Sequence, residues 1–249
     1  MNVPAYLDRI GYKGPTELTA ETLRILHRRH LETVPFENLD ISGSRPIVLV
    51  ENMIVHKVVE ERRGGFCYEL NSAFAALLRA LGFPVTLLSA RVARADGSDG
   101  PEFDHLALRV DLEQTWLADV GFGDSFLEPL LLQPAIEQKQ EVGVFRIVDT
   151  CGPLAVERQQ PDLSWKAEYR FTLTPRLLQD FTAMCHFHQT SPDSHFTQKR
   201  ICSIAVPNGR ITLADLKLIT TKNGTRQERM LASEEERRAV LEQSFGIVL

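Results

Sequence analysis

A thiol that attacks a carbonyl carbon needs a position that activates it, and Cys67 has the sequence context for one. It lies in Arg63-Gly64-Gly65-Phe66-Cys67-Tyr68-Glu69-Leu70-Asn71, where two glycines lead into an amphipathic stretch. Leu70, Phe74, Leu77, Leu78 and Leu81 recur at helical spacing, which puts Cys67 at a helix N-terminus. The unpaired N–H groups there carry positive potential, which is expected to lower the thiol pKa and to stabilise a tetrahedral oxyanion. The paired glycines allow the backbone to approach a ligand closely. The same residues also fit a turn beside an inert buried thiol, so this segment alone leaves both readings open.

A nucleophilic thiol needs a base, and the base needs an orienting partner. Asp104-His105-Leu106-Ala107-Leu108-Arg109-Val110 alternates like a strand, with His105 on the face opposite Leu106, Leu108 and Val110. A hairpin turn over residues 111–114 returns the chain through Trp116 to Val120. A turn centred near residue 112 sets Asp119 directly across from His105, within reach of one imidazole nitrogen. The other nitrogen is left for Cys67. Cys151, Cys185 and Cys202 combine no glycine pair, helix start and base, and read as structural thiols. Cys185-His186-Phe187-His188, with His195 nearby, looks superficially like a metal site, but loop or helix-end packing is the better reading and no metal is expected. Arg63 reads either as a helix-end surface charge or, by preference, as a buried anchor for Glu37 or Glu69.

The elements that must position these groups change character along the chain. Helical periodicity covers residues 21–31, with Thr19 or Thr22 as cap, then 50–61 and the segment after Gly65; Pro35 stops the first helix and residues 36–39 read as a turn. From Val85 the period becomes two, with strands over 85–92, 106–112, 116–120, 144–148, 154–156 and 165–173. Residues 176–185 read as helix, 201–206 and 211–221 as strands, and 233–245 as a helix capped by Ser233. Asn223-Gly224 is a hairpin signal. The resulting fold class is α+β, with soft boundaries near 85 and 175.

Composition excludes several classes of function. The chain has 249 residues, 43% hydrophobic and 24% charged, which are globular values. Lys and Arg number 28 against 33 Asp and Glu, for a net charge of −5, which argues against nucleic acid or an anionic membrane as partner. No signal peptide or membrane span is visible, and four cysteines without a C-x-x-C pair suggest free thiols in a cytoplasmic protein.

Several spaced blocks together resemble the arylamine N-acetyltransferase family. They are Tyr6-Leu7-x-Arg9-Ile10-Gly11-Tyr12, Val34-Pro35-Phe36-Glu37-Asn38-Leu39, the Arg63-to-Asn71 segment, Asp104-His105-Leu106-Ala107-Leu108, Ala118-Asp119-Val120-Gly121-Phe122-Gly123, and the block from His188 through Ser194-His195-Phe196. The resemblance implies that Cys67, His105 and Asp119 are a catalytic triad. It implies an N-terminal helical bundle (1–84), a central antiparallel β-barrel (85–175) and a C-terminal α/β lid (176–249), around a cysteine-protease-like or transglutaminase-like catalytic core. It further implies acetyl transfer from acetyl-CoA through an acetyl-cysteine to arylamines, arylhydrazines or N-hydroxyarylamines. Phe36 and Phe122 would line the acceptor pocket; Gly121, Gly123, His195 and Phe196 would meet coenzyme A.

A Cys-His-Asp set by itself serves a hydrolase or a transglutaminase-like enzyme equally well. An amide synthase of the same family and a binding module with a vestigial triad are further alternatives. The segment before His105 carries Asp96, Asp99, Glu102 and Asp104, and is expected to disfavour anionic acceptors at the cleft mouth.

Overall fold

The computed structural model describes residues 1–249. Helices dominate the first third: α1 (Val3–Arg9), α2 (Ala20–Thr33), α3 (Leu39–Ser42), α4 (Glu51–Val59) and α5 (Cys67–Ala80). Thr19 caps α2, its hydroxyl accepting the Thr22 N–H at 3.1 Å. Residues 36–37, expected as a turn, instead form strand β1 (Phe36–Glu37). This strand leaves the helical unit to pair with β10 (Ile201–Val206), Phe36 opposite Ser203. A non-local pairing of two residues leaves no periodicity to read.

The middle of the chain forms β2 (Val85–Val92), β3 (His105–Asp111), β4 (Thr115–Ala118), β5 (Leu130–Leu131), β6 (Gln138–Gln140), β7 (Gly143–Asp149), β8 (Leu154–Gln159) and β9 (Trp165–Arg176). They join antiparallel in the order β5-β4-β3-β2-β9-β8-β7-β6. The two edges are then stitched by side-chain amides. Gln138 of β6 accepts the Leu131 N–H of β5 at 2.7 Å and donates to its carbonyl at 3.0 Å. Gln140 accepts from the Leu127 and Glu128 N–H groups and donates to the Glu128 carbonyl. Polar amides thus protect edges that would otherwise expose unpaired backbone, and the sheet nearly closes into a barrel.

Residues 176–185 are not one helix. β9 continues to Arg176, a 3-10 turn spans Leu178–Phe181, and α6 (Thr182–Thr190) follows. After α7 (His195–Gln198), a second sheet adds β11 (Gly209–Ala214), β12 (Lys217–Lys222) and β13 (Thr225–Met230) to β1 and β10. The single strand expected over 211–221 is therefore a hairpin that turns at Asp215 and Leu216. Asn223 and Gly224 do make the next turn, both at positive φ. Helix α8 (Glu234–Phe245) closes the chain, with Ser233 accepting the Glu236 N–H at 3.2 Å.

The fold is α+β, with three apolar cores. The largest lies between the helices and the sheet and includes Tyr6, Phe66, Phe74, Leu106, Leu108 and Trp116. A second fills the barrel around Leu88, Phe126, Phe145, Ile147 and Tyr169. The third joins β10 and β11 to α8 through Ile204, Leu213, Val240 and Leu241. No helix is long and apolar enough to cross a membrane.

Candidate active site

Helix α5 begins at Cys67, and its first turn is fixed from below by buried charges. Glu69 reaches back to the Phe66 N–H at 3.2 Å and accepts from Lys57 Nζ at 2.7 Å. Lys57 also meets Asp40 at 2.7 Å. Arg63 forks onto Glu37 Oε1 and Asp40 Oδ1 at 2.8 and 2.9 Å. Arg63 is thus a buried anchor, as its position suggests, but for Glu37 and Asp40; Lys57, which sequence reasoning missed, holds Glu69. Burial pushes the Glu69 carboxyl up to about 7 despite Lys57, with Glu37 and Asp40 adding to the rise. Burial works against Asp40 too, yet Lys57 and Arg63 hold it below its ordinary value.

The glycine pair serves packing rather than a ligand. A Cβ on Gly64 would stand 1.9 Å from the Pro35 carbonyl oxygen, and one on Gly65 would strike the Glu69 side chain. Both let the chain before Cys67 lie against its own neighbours.

His105 and Asp119 meet as expected, through a different register. Leu108 faces Ala118, so the ladder carried one step further sets Asp119 beside Ala107, two places from the expected partner. A shift of two keeps the side chain on the same face. His105 Nε2 lies 2.7 Å from Asp119 Oδ2. The other carboxylate oxygen accepts from Asn71 Nδ2 at 2.8 Å and from the Gly121 N–H at 3.0 Å. Burial opposes ionisation of Asp119, but His105, Asn71 and Gly121 outweigh it and hold the carboxyl below its usual range.

Two positioning residues emerge from the structure alone. Asn71, one helical turn after Cys67, also accepts the Val120 N–H and donates to the Leu106 carbonyl. The i,i+4 spacing from Cys67 was the available signal. His27 takes the Asp119 N–H on Nε2 at 3.0 Å and meets the Leu127 carbonyl through Nδ1 at 2.8 Å. Burial lowers its pKa to about 4, so it stays neutral and holds Asp119 as a fixed peg.

Gly121 presses on Cys67: a Cβ there would stand 2.8 Å from Cys67 Cα and 2.7 Å from Asn71 Nδ2. Gly121→Ala is therefore expected to cost about 1–3 kcal/mol of stability. It should lower turnover more than the stability loss implies, because the barrel loop is pushed off the helix. Chemical denaturation and initial rates on the same sample check this, and unchanged values for both would refute the close contact.

Cys67, His105, Phe36, Phe122, Gly121, Gly123, His195 and Phe196 all line one cleft of about 1050 Å³, and Asp119 sits behind His105. The rings of Phe122 and Tyr169 pack on the imidazole, with centroids 5.3 and 5.2 Å away. The His195 and Phe196 rings, also on the cleft, are tilted by 41° with centroids 4.0 Å apart. The thiol departs from expectation. Burial, with Asp104, Asp119 and Cys185, pushes Cys67 well above its ordinary pKa, and the Leu106 backbone opposes the rise.

The acidic segment before His105 is largely neutralised. Asp99 pairs with Arg170, and Glu102 with Arg91 and Arg176 at 2.9 and 3.2 Å. Of its four acids only Asp104 lines the cleft, 3.2 Å from His188 Nε2. Of the expected bias against anionic acceptors, Asp104 alone is left as a source on the cleft. Cys185 and His188 lie on helix α6, where Gln189 and Ser194 contact them.

An α+β fold in which helices and barrel bring a thiol, an imidazole and a carboxylate to one cleft is the layout of an enzyme. The chain belongs to the N-acetyltransferase family, whose profile matches residues 19–249. It is 33% identical over 246 residues to the arylamine N-acetyltransferase of Escherichia coli (strain K12), covering 97% of this chain and 87% of that one. It is also 33% identical over 248 residues to proansamycin X synthase of Amycolatopsis mediterranei (strain S699), covering 96% and 95%. The structure of Mycobacterium marinum arylamine N-acetyltransferase in complex with CoA superposes with a TM-score of 0.92 at 30% identity, over 99% of this chain and 93% of that one. The protein is an acetyltransferase, which sets aside the hydrolase and binding-module readings.

Proposed function

We infer that the chain moves an acetyl group from acetyl-CoA to Cys67 and then to an aromatic amine, hydrazine or N-hydroxyarylamine. The observation that carries the reading is Cys67 and His105 on one cleft wall, with Asp119 2.7 Å behind the imidazole. Ionised Asp119 accepts the Nε2 proton, so Nδ1 is left as the base. The thiol proton passes to Nδ1 as sulfur attacks the thioester carbon. This transfer leaves the net charge of the buried site unchanged, and Asp119 stabilises the imidazolium that forms. The Cys67 and Tyr68 N–H groups at the start of α5 have no backbone acceptor and can receive the developing oxyanion.

Collapse breaks the carbon–sulfur bond to coenzyme A, whose thiolate takes the proton back from His105. The acceptor nitrogen then attacks acetyl-Cys67 and gives its proton to His105, and the Cys67 thiolate leaves and is reprotonated. Phe36 and Phe122 offer a flat neutral amine an apolar surface. The CoA complex of the related Mycobacterium marinum enzyme supports coenzyme A as the carrier.

Incubation with acetyl-CoA is expected to add one acetyl group to Cys67, read by intact mass and peptide mapping, and an arylamine should remove it. No adduct would overturn the reading. A second reading, intramolecular amide closure on an acyl-thioester, is favoured by the equal identity to proansamycin X synthase. Failure of acetyl-CoA together with acylation by a longer aminoacyl thioester would select it.

A further inference from the structure

Three charged residues from three parts of the chain converge on the wall of the same cleft: Asp124 from the loop after Asp119, Arg158 from β8 and Arg210 from β11. Arg210 Nε lies 3.3 Å from Asp124 Oδ1, and Arg158 Nη1 lies 3.8 Å from the same oxygen. Both separations exceed a charge-assisted hydrogen bond, which falls at about 2.7–2.9 Å. The carboxylate is loosely held, and its side chain is 64% exposed.

The guanidinium groups, in contrast, are fixed from behind. Arg210 is only 13% exposed and donates to Ser203 Oγ at 3.1 Å, itself 2.7 Å from Thr212 Oγ1. Arg158 donates to the Val142 carbonyl at 2.7 Å and packs 5.4 Å from the Phe145 ring. Glu168, 3.9 Å from Arg158, is itself tied to Ser125. Two planar cations held from behind thus share one exposed anion on the cleft. Arg226, also on the cleft, is exposed and already paired with Glu228 at 2.6 Å, so it has no comparable open fork.

We propose that Arg158 and Arg210 form a two-sided clamp for phosphate groups of coenzyme A, and that Asp124 is an internal counter-ion which those phosphates displace. The proposal rests on coenzyme A being the carrier. A phosphate offers each fork the bidentate geometry that the single distant carboxylate does not. It also joins the barrel to the C-terminal sheet, because the two arginines come from different sheets. Asp124 keeps the cation pair compensated when no donor is bound, so donor affinity is set by the difference between two anions.

The test combines calorimetric affinity for coenzyme A with turnover of p-nitrophenyl acetate, an acetyl donor that carries no phosphate. Arg158→Gln and Arg210→Gln should each weaken coenzyme A about tenfold or more, the scale of a lost charged hydrogen bond. Asp124→Asn should tighten it several-fold. All three should leave p-nitrophenyl acetate turnover unchanged, which also shows that the variants fold. Repeating the affinities with dephospho-coenzyme A separates the sources: a persisting effect assigns the clamp to the diphosphate, and a vanished one to the 3′-phosphate. Weaker binding in Asp124→Asn, or arginine variants that lose p-nitrophenyl acetate turnover as much as coenzyme A affinity, would overturn the proposal. Wild-type protein that p-nitrophenyl acetate fails to acetylate would refute the acetyl-cysteine reading instead, leaving the calorimetry to judge the clamp.

Discussion

Asp119→Asn is expected to lower kcat/KM for acetyl transfer by about 10³–10⁴-fold, the scale of losing the correct histidine tautomer, with little change in melting temperature. The hydrogen bonds around the carboxylate determine which way the amide must turn. Asp119 Oδ1 accepts from Asn71 Nδ2 and the Gly121 N–H. Both are donors, so that site must remain an oxygen. The new NH₂ therefore faces His105 Nε2, which must become an acceptor, and the ring proton moves to Nδ1. The base for Cys67 is then gone while packing is almost unchanged. Initial rates, with near-ultraviolet dichroism as the control for folding, check the prediction; a loss under about tenfold would mean that Asp119 does not set the tautomer.

The same hydrogen bonds show what the sequence could convey. Cys67 at the start of an amphipathic helix, His105 on β3 and Asp119 just past the end of the neighbouring β4 are local patterns, and local patterns survive small errors. The hairpin register was off by two residues, yet period-two alternation kept Asp119 on the face of His105. Where an element lacks alternation it is not legible. β13 is exposed along its whole length and is held by backbone pairing with β12 and by ion pairs such as Lys217–Glu228.

Buried polar partners are hidden for a different reason. His27 sits on the apolar stripe of α2 and gives no sign that it will hold the Asp119 N–H across the fold. Lys57 on an amphipathic helix reads as a solvated charge, yet it lies beneath the Cys67 loop between two carboxylates. The surroundings of the thiol are hidden likewise: burial beside Asp104 and Asp119 pushes its pKa up, against the roughly half charge of a helix terminus.

Lys57→Met is expected to destabilise the protein by about 3–5 kcal/mol at pH 8, because it leaves buried Asp40 and Glu69 short of a cation. The cost should shrink at lower pH. Glu69 has a folded pKa of about 7 against an ordinary 4.5, so the folded protein binds its proton first. Its contribution is fully present below pH 4.5 and is lost as pH rises through 7. Removing Lys57 deletes the main influence that lowers this pKa, which moves the loss to higher pH and makes the charged form costlier. The deficit relative to wild type should therefore grow between pH 5.5 and pH 8 in urea denaturation. Glu69→Gln in the Lys57→Met background should flatten that dependence, since an amide still accepts the Phe66 N–H without titrating. A deficit that is the same at both pH values would show that Lys57 fills space rather than balancing charge. The consequence for activity follows from position: Glu69 fixes the Phe66 N–H, and the next residue is Cys67. Whatever loosens this buried set loosens the loop that leads Cys67 into the cleft it shares with His105.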